Sequence, residues 1–177
     1  MNKAVFLDRD GVLNHEIYDY ITKLEDFKIL EYQIPPLKKL FDEGYLLIII
    51  TNQGGIAQNR YTEETLAEMH TALSAKFEEY GALITHAYHC PHHPTVSEEC
   101  NCRKPKSGML LTAIAAYDID PALSVMIGDK PRDVAAANGA GVKGILIAPD
   151  EQIDYHLVKE VLSGNELQAL SAAMQDL

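Results

Sequence analysis

The sequence predicts an α/β protein with a Rossmann-like, doubly wound parallel sheet and helices on both faces. Two observations predict it. Short apolar runs alternate with amphipathic stretches, the pattern of parallel strands joined by crossover helices. Three of the apolar runs also end in polar clusters. Ala4–Leu7 stops at Asp8-Arg9-Asp10-Gly11, Leu46–Ile50 at Thr51-Asn52-Gln53, and Val125–Ile127 at Gly128-Asp129-Lys130. In an open parallel sheet, ligands bind beyond the carboxyl ends of the strands, so these clusters are expected to face one crevice.

Each element has its own signal. Ala4–Leu7 is the first strand. Pro35 and Pro36 suit a helix start and Gly44 its end, with Leu37, Leu40 and Phe41 at i, i+3 and i+4 as the buried stripe. Leu46–Ile50 is a fully buried strand. Thr62, followed by Glu63 and Glu64, opens a second helix reaching about Tyr80. Ile84–Tyr88 reads as a strand, and Met109–Tyr117 as a helix with apolar Leu110, Leu111 and Ile114. Val125–Ile127 is a strand, Val134–Asn138 a short helix closed by Gly139 and Gly141, and Ile145–Ala148 the last strand. Leu157–Leu162 and Glu166–Met174 read as terminal helices, expected to pack in cis.

At 177 residues the chain is read as one domain, residues 1–177, with a helical tail from about residue 150. The composition, 47% hydrophobic and 23% charged, is that of a globular core with a solvated surface. A net charge of −11 argues against a nucleic-acid partner, because phosphate backbones attract basic surfaces. Only four or five apolar residues precede Asp8, too few for a signal peptide or a membrane span. A monomeric cytoplasmic protein with a small-molecule substrate is the expectation.

The predicted crevice gathers Asp8, Asp10, Thr51 and Asp129, with Lys104 from the loop Cys102-Arg103-Lys104-Pro105-Lys106. Carboxylates, a hydroxyl and a cation suit a divalent cation plus a phosphoryl group. An Asp after a strand is, by itself, ordinary turn chemistry. Two of them straddling Arg9, with the other clusters in register, point to a nucleophile and a general acid. Lys104 is a point charge for a phosphoryl group, and Arg103 a planar fork for an anion elsewhere on the substrate. Lys130 is left open between a substrate contact and a partner for Asp8. All three cysteines lie within Cys90-Pro91-His92 and Cys100-Asn101-Cys102. Three thiolates and one imidazole match a closed tetrahedral zinc site, structural because no position remains for water. His93, His89 and His86 are neighbours that compete with His92 as the fourth ligand.

The same residues carry a family resemblance. Phe6-Leu7-Asp8-Arg9-Asp10-Gly11-Val12-Leu13-Asn14 resembles the first motif of the haloacid dehalogenase (HAD) superfamily phosphatases. Thr51-Asn52-Gln53, Arg103-Lys104-Pro105 and Gly128-Asp129-Lys130-Pro131-Arg132-Asp133 are similar to its second, third and fourth motifs, in order. Within the superfamily the chain resembles the D,D-heptose 1,7-bisphosphate phosphatases, with histidinol phosphatases as near relatives, over residues 4 to about 147. That resemblance implies Asp8 as nucleophile and Asp10 as acid/base. It implies Mg²⁺ on the Asp8 carboxylate, the Asp10 carbonyl and Asp129, with Asp133 behind them. It further implies Zn²⁺ on Cys90, His92, Cys100 and Cys102, in a loop of about 90–102. Asn52, Gln53, Arg103, Lys130 and Tyr20 become substrate contacts. No large cap domain fits between the motifs.

The chain departs from the pattern near the cleft. Seven residues separate His92 from Cys100, a spacing between those of the two phosphatase groups, and Gln58 stands where a basic residue is expected, with Arg60 two positions later. The expected activity is a magnesium-dependent phosphomonoesterase working through a phospho-aspartate on a sugar bisphosphate, removing the 7-phosphate of D-glycero-D-manno-heptose 1,7-bisphosphate. Histidinol phosphate is the same-class alternative. A phospho-accepting receiver module is the alternative from another class, but it lacks a second Asp two residues after the acceptor and has no counterpart of the cysteine loop.

Overall fold

The computed structural model describes residues 1–164. Its five strands are β1 (Lys3–Leu7), β2 (Tyr45–Asn52), β3 (Ile84–Cys90), β4 (Val125–Gly128) and β5 (Lys143–Leu146), and all pair in parallel in the order β3-β2-β1-β4-β5. The chain winds outward from β1 in both directions, so the strand order reverses beside β1 and opens a crevice there. Register is set by apolar residues on both faces: Val5 pairs with Leu47 and Val125 on one, and Phe6 with Ile48 and Met126 on the other.

Alternate residues of these strands feed two cores, because side chains on a strand point to opposite faces. Val5, Leu7, Leu47, Ile49, Val125 and Ile127 join α1 (Ile34–Asp42), α2 (Glu63–Glu79) and a helical stretch over residues 155–164 through Leu37, Leu40, Met69, Leu73, Phe77, Val158 and Leu162. Ala4, Phe6, Ile48, Ile50 and Met126 join α3 (Gly108–Ala116) and α4 (Pro131–Gly139) through Met109, Leu110, Ala113, Ala136 and Ala137. Helices therefore cover both faces. The 155–164 stretch closes the first core in cis; the helix expected over Glu166–Met174 lies outside the described residues.

Local chemistry fixes the element ends. Pro35 and Pro36 occupy the first turn of α1, where their missing N–H groups cost nothing. The Thr62 hydroxyl caps α2 by accepting from the Thr65 N–H at 3.2 Å. Two expectations need correcting. Helix α4 starts at Pro131, three residues before the anticipated Val134, because Pro131 opens it and the Asp133 carboxylate accepts the Lys130 N–H at 3.0 Å. Strand β5 begins at Lys143 and ends at Leu146, two residues ahead of the apolar run, because pairing of Val125 with Lys143 sets its start. On α3, Leu111 faces outward at 51% exposure, and Met109, Leu110 and Ala113 form the buried side.

Candidate active site

Four polar segments meet beyond the carboxyl ends of β1, β2 and β4. Asp8 follows β1 directly, and its side chain is buried. Lys104 reaches it from the loop before α3, and its ammonium is buried between two carboxylates. Its Nζ lies 2.8 Å from Asp8 Oδ1, 2.8 Å from Asp133 Oδ1, and 2.7 Å from the Ile50 carbonyl. Asn52, at the end of β2, holds that loop by a two-way amide pair. Its Nδ2 donates to the Lys104 carbonyl and its Oδ1 accepts from the Lys104 N–H, both at 3.0 Å.

Asp10 sits across the turn. Its carboxylate accepts from Arg9 Nη2 at 2.9 Å, Asn14 Nδ2 at 3.0 Å and Gln53 Nε2 at 2.9 Å. Gln53 Nε2 also donates to Thr51 Oγ1 at 2.9 Å. Just after the second acid the main chain turns through Gly11, at φ +82°, where a Cβ would stand 2.5 Å from Asp129 Oδ2. Any larger residue would push into the Asp129 side chain.

The electrostatics separate the two acids. Burial pushes Asp8 up to about 7, with Lys104 opposing and Asp133 and Asp10 adding to the rise. Burial also acts on Asp10, but the Arg9 charge and the hydrogen bonds from Arg9, Asn14 and Gln53 outweigh it, and its carboxyl is held below the usual range. Burial raises Asp129, against the pull of Lys130. Lys130 loses hydration too, yet its bonds to Asp129 and Glu16 hold it up at about 12.

Asp8, Asp129 and Asp133 bring ligand oxygens within 4.8 Å of one another. Asp129 Oδ1 is buried with no hydrogen-bond partner among the described residues. Three clustered carboxylates with an orphaned oxygen fit a hard divalent cation, which takes oxygen ligands.

A second cluster lies at the end of β3. Cys90, His92, Cys100 and Cys102 also bring their donor atoms within 4.8 Å and could hold a metal ion. Cys90 Sγ is 3.0 Å from Cys102 Sγ and 3.7 Å from Cys100 Sγ, and His92 Nδ1 is 3.3 Å from Cys102 Sγ. All three thiols are free. His93 turns away to Thr95 and Gln58, and His89 pairs with Glu63 at 2.8 Å.

The structure thus brings Asp8, Asp10, Thr51, Asn52, Gln53, Lys104 and Asp129 together. Asn52 and Gln53 spend their amides on Lys104, Asp10 and Thr51. Lys130 pairs with Asp129 at 2.5 Å and Glu16 at 3.0 Å, and Asp8 is not its partner. Arg103 ties its loop down by donating from Nη1 to the His92 carbonyl at 2.9 Å, and lines a cavity of about 400 Å³ with Lys104 and His93. Tyr20 lies beside Gly55, its ring 5.6 Å from the Arg60 guanidinium and 6.1 Å from Tyr61. Sequence reasoning missed Glu16, Tyr61 and the roles of Arg9 and Asn14. Arg9 and Asn14 flank the acids in the first motif, a signal of proximity; Glu16 and Tyr61 carry none.

Comparison with known proteins follows the same lines. A HAD-hydrolase-like family model matches residues 101–159. The chain is 43% identical over 147 residues to the D-glycero-β-D-manno-heptose-1,7-bisphosphate 7-phosphatase of Haemophilus influenzae, covering 81% of this chain and 79% of that one. It is 42% identical over 178 residues to the D-glycero-α-D-manno-heptose-1,7-bisphosphate 7-phosphatase of Photorhabdus laumondii, covering 98% and 97%. The crystal structure of the D,D-heptose 1,7-bisphosphate phosphatase from B. bronchiseptica, complexed with magnesium and phosphate, superposes with a TM-score of 0.78 at 28% identity, covering 85% and 83%.

Proposed function

Because the chain belongs to the HAD-superfamily phosphatases and is closely related to the D,D-heptose 1,7-bisphosphate phosphatases, we propose that it removes the 7-phosphate of D-glycero-D-manno-heptose 1,7-bisphosphate. The observation that carries this reading is the buried Asp8–Lys104–Asp133 ion cluster opposite the cradled Asp10. Asp8 attacks phosphorus. Its oxygen forms the new P–O bond while the P–O bond to the sugar breaks and leaves its electron pair on the sugar oxygen. Asp10 gives that oxygen a proton, then takes one from the water that hydrolyses the phospho-aspartate. Lys104 and Thr51 bind the phosphoryl oxygens. Asp8, Asp129 and the Asp10 carbonyl would hold Mg²⁺, with Asp133 behind them; bound there, it offsets the crowded carboxylates and polarises the phosphoryl group.

The cysteine loop is read as a structural zinc site. Three free thiols and one imidazole with donors already clustered fit a closed tetrahedral set, and unpaired thiols suit a reducing cytoplasmic compartment. Arg103, next to Cys102, serves the phosphate that is retained, with Tyr20 and Arg60.

A panel of phosphate esters with magnesium tests the reading. The highest kcat/KM is expected on a heptose 1,7-bisphosphate, with one phosphate released, and running both anomers assigns the preference. If histidinol phosphate is hydrolysed better than every sugar bisphosphate, the substrate assignment is wrong.

A further inference from the structure

The acid/base carboxylate is gripped from two sides. Oδ1 of Asp10 accepts from Arg9 Nη2 at 2.9 Å and from Asn14 Nδ2 at 3.0 Å. Oδ2 accepts from Gln53 Nε2 at 2.9 Å and more distantly from Arg9 Nη2 at 3.2 Å. The Gln53 amide is anchored in turn, because its Oε1 accepts the Tyr61 hydroxyl proton. Tyr61 is buried, and Gly55 leaves it room: a Cβ at Gly55 would come within 2.3 Å of the Tyr61 ring.

Arg9 is an expensive residue for this position. It is 2% exposed, its guanidinium lies 5.2 Å from the Phe27 ring, its Nη1 lies 3.9 Å from Met69 Sδ, and its Nε has no partner among the described residues. A buried charge with an unmade hydrogen bond destabilises, and an apolar side chain of similar volume is often neutral or stabilising in its place. Nor does its ion pair tie the fold together, since Arg9 and Asp10 are consecutive residues. What the pair does is fix the direction of one carboxylate.

We propose that Arg9 and Tyr61 are positioning residues for proton transfer by Asp10, Arg9 directly and Tyr61 through the Gln53 amide. Each oxygen accepts two donors, Oδ1 at 2.9 and 3.0 Å and Oδ2 at 2.9 and 3.2 Å, so the direction of the whole carboxylate is fixed. The inference rests on the phosphatase reading above and deepens it. It has a chemical signature. An alkoxide leaving group needs the proton, whereas p-nitrophenolate leaves readily without it. kcat/KM reports only the steps through departure of the leaving group, so later hydrolysis of the phospho-aspartate does not blur the comparison.

The test measures kcat/KM of wild type, Arg9→Met and Tyr61→Phe on a sugar phosphate and on p-nitrophenyl phosphate at saturating magnesium. General acid catalysis is worth about 10²–10⁴-fold, so Arg9→Met is expected to lose about 10²-fold or more on the sugar phosphate. Tyr61→Phe, which only loosens the Gln53 anchor, should lose about 10-fold there, and both variants should stay within about 3-fold of wild type on the aryl ester. Equal losses on both esters would mean that Arg9 and Tyr61 serve the fold alone, and unchanged sugar-phosphate kinetics would mean that Asp10 needs no such grip; either overturns the inference. Should Arg9→Met fail to fold, Tyr61→Phe decides by the same criterion. A wild type that cleaves neither ester overturns the phosphatase reading itself, which separates the two failures.

Discussion

At Lys104 one charge answers two carboxylates and a carbonyl inside the protein. Replacing it with Met leaves Asp8 and Asp133 buried without their counter-charge. Loss of one partner of a buried ion pair costs about 3–5 kcal/mol, so urea titration of metal-free Lys104→Met should show a drop of that order. Asp8 behaves oppositely. Its pKa rises on folding from the ordinary carboxylate value to about 7, so its contribution favours the folded state below the unfolded value and is lost as pH rises through about 7. Above that pH the charged nucleophile opposes folding of the metal-free protein. Asp8→Asn should therefore abolish turnover and also raise the melting temperature of metal-free protein at pH 8, by about 2–4 °C for each kcal/mol relieved. The gain should shrink at pH 5, where the wild-type carboxyl is protonated. An unchanged or lower melting temperature at pH 8 would contradict the account.

Among the elements, the cysteine loop ties metal binding to catalysis. It joins β3 to α3 and ends in Arg103 and Lys104, so whatever holds Cys90, His92, Cys100 and Cys102 together also holds Lys104 over the nucleophile. Elemental analysis is expected to find about one zinc per chain, a stoichiometry that follows from one closed four-donor site. Chelation or Cys100→Ser should lower kcat and speed proteolysis between Cys90 and Lys104 while the sheet remains folded. A zinc-free preparation with unchanged kinetics and protection would refute the zinc reading. The strands and motifs were legible in the sequence because a buried parallel strand needs an unbroken apolar run and a site residue must follow it. What lay hidden depended on side-chain direction. Asn52 and Gln53 look like substrate contacts when read as residues after a strand. The fold turns Asn52 onto the Lys104 backbone and Gln53 onto Asp10. Similarly, α4 reads as starting at its first apolar residue, whereas the backbone helix begins with Pro131, at a point where no side chain needs burial.

Over the whole molecule, the stretch 155–164 packs into the first core. Val158 and Leu162 are each 1% exposed and sit in the same cluster as Val5, Leu7 and Ile127. Leu162→Ala should cost about 2–5 kcal/mol, the range for a buried Leu truncated in a packed core. Equilibrium unfolding checks this, and a change below about 1 kcal/mol would mean that the tail is dispensable for stability. Sequence patterning supports packing in cis only as an expectation, because an amphipathic stripe can equally meet a partner; burial in the first core decides it for residues 155–164.

The placement of β1 also bears on how the protein is made. β1, which leads into Asp8, leaves the ribosome before the other four described strands, yet its neighbour β4 lies far along the chain, with Val5 paired to Val125. A nascent chain lacking β4 has β1 paired only to β2, and it has neither Asp129 nor the helix that carries Asp133. Until that stretch emerges, Asp8 and Lys104 have no complete partner set. Contacts so distant in sequence close late. Enzymatic competence should accordingly arise in a single step once β4 and α4 have emerged, and stalled chains ending before residue 125 should bind no magnesium at this site.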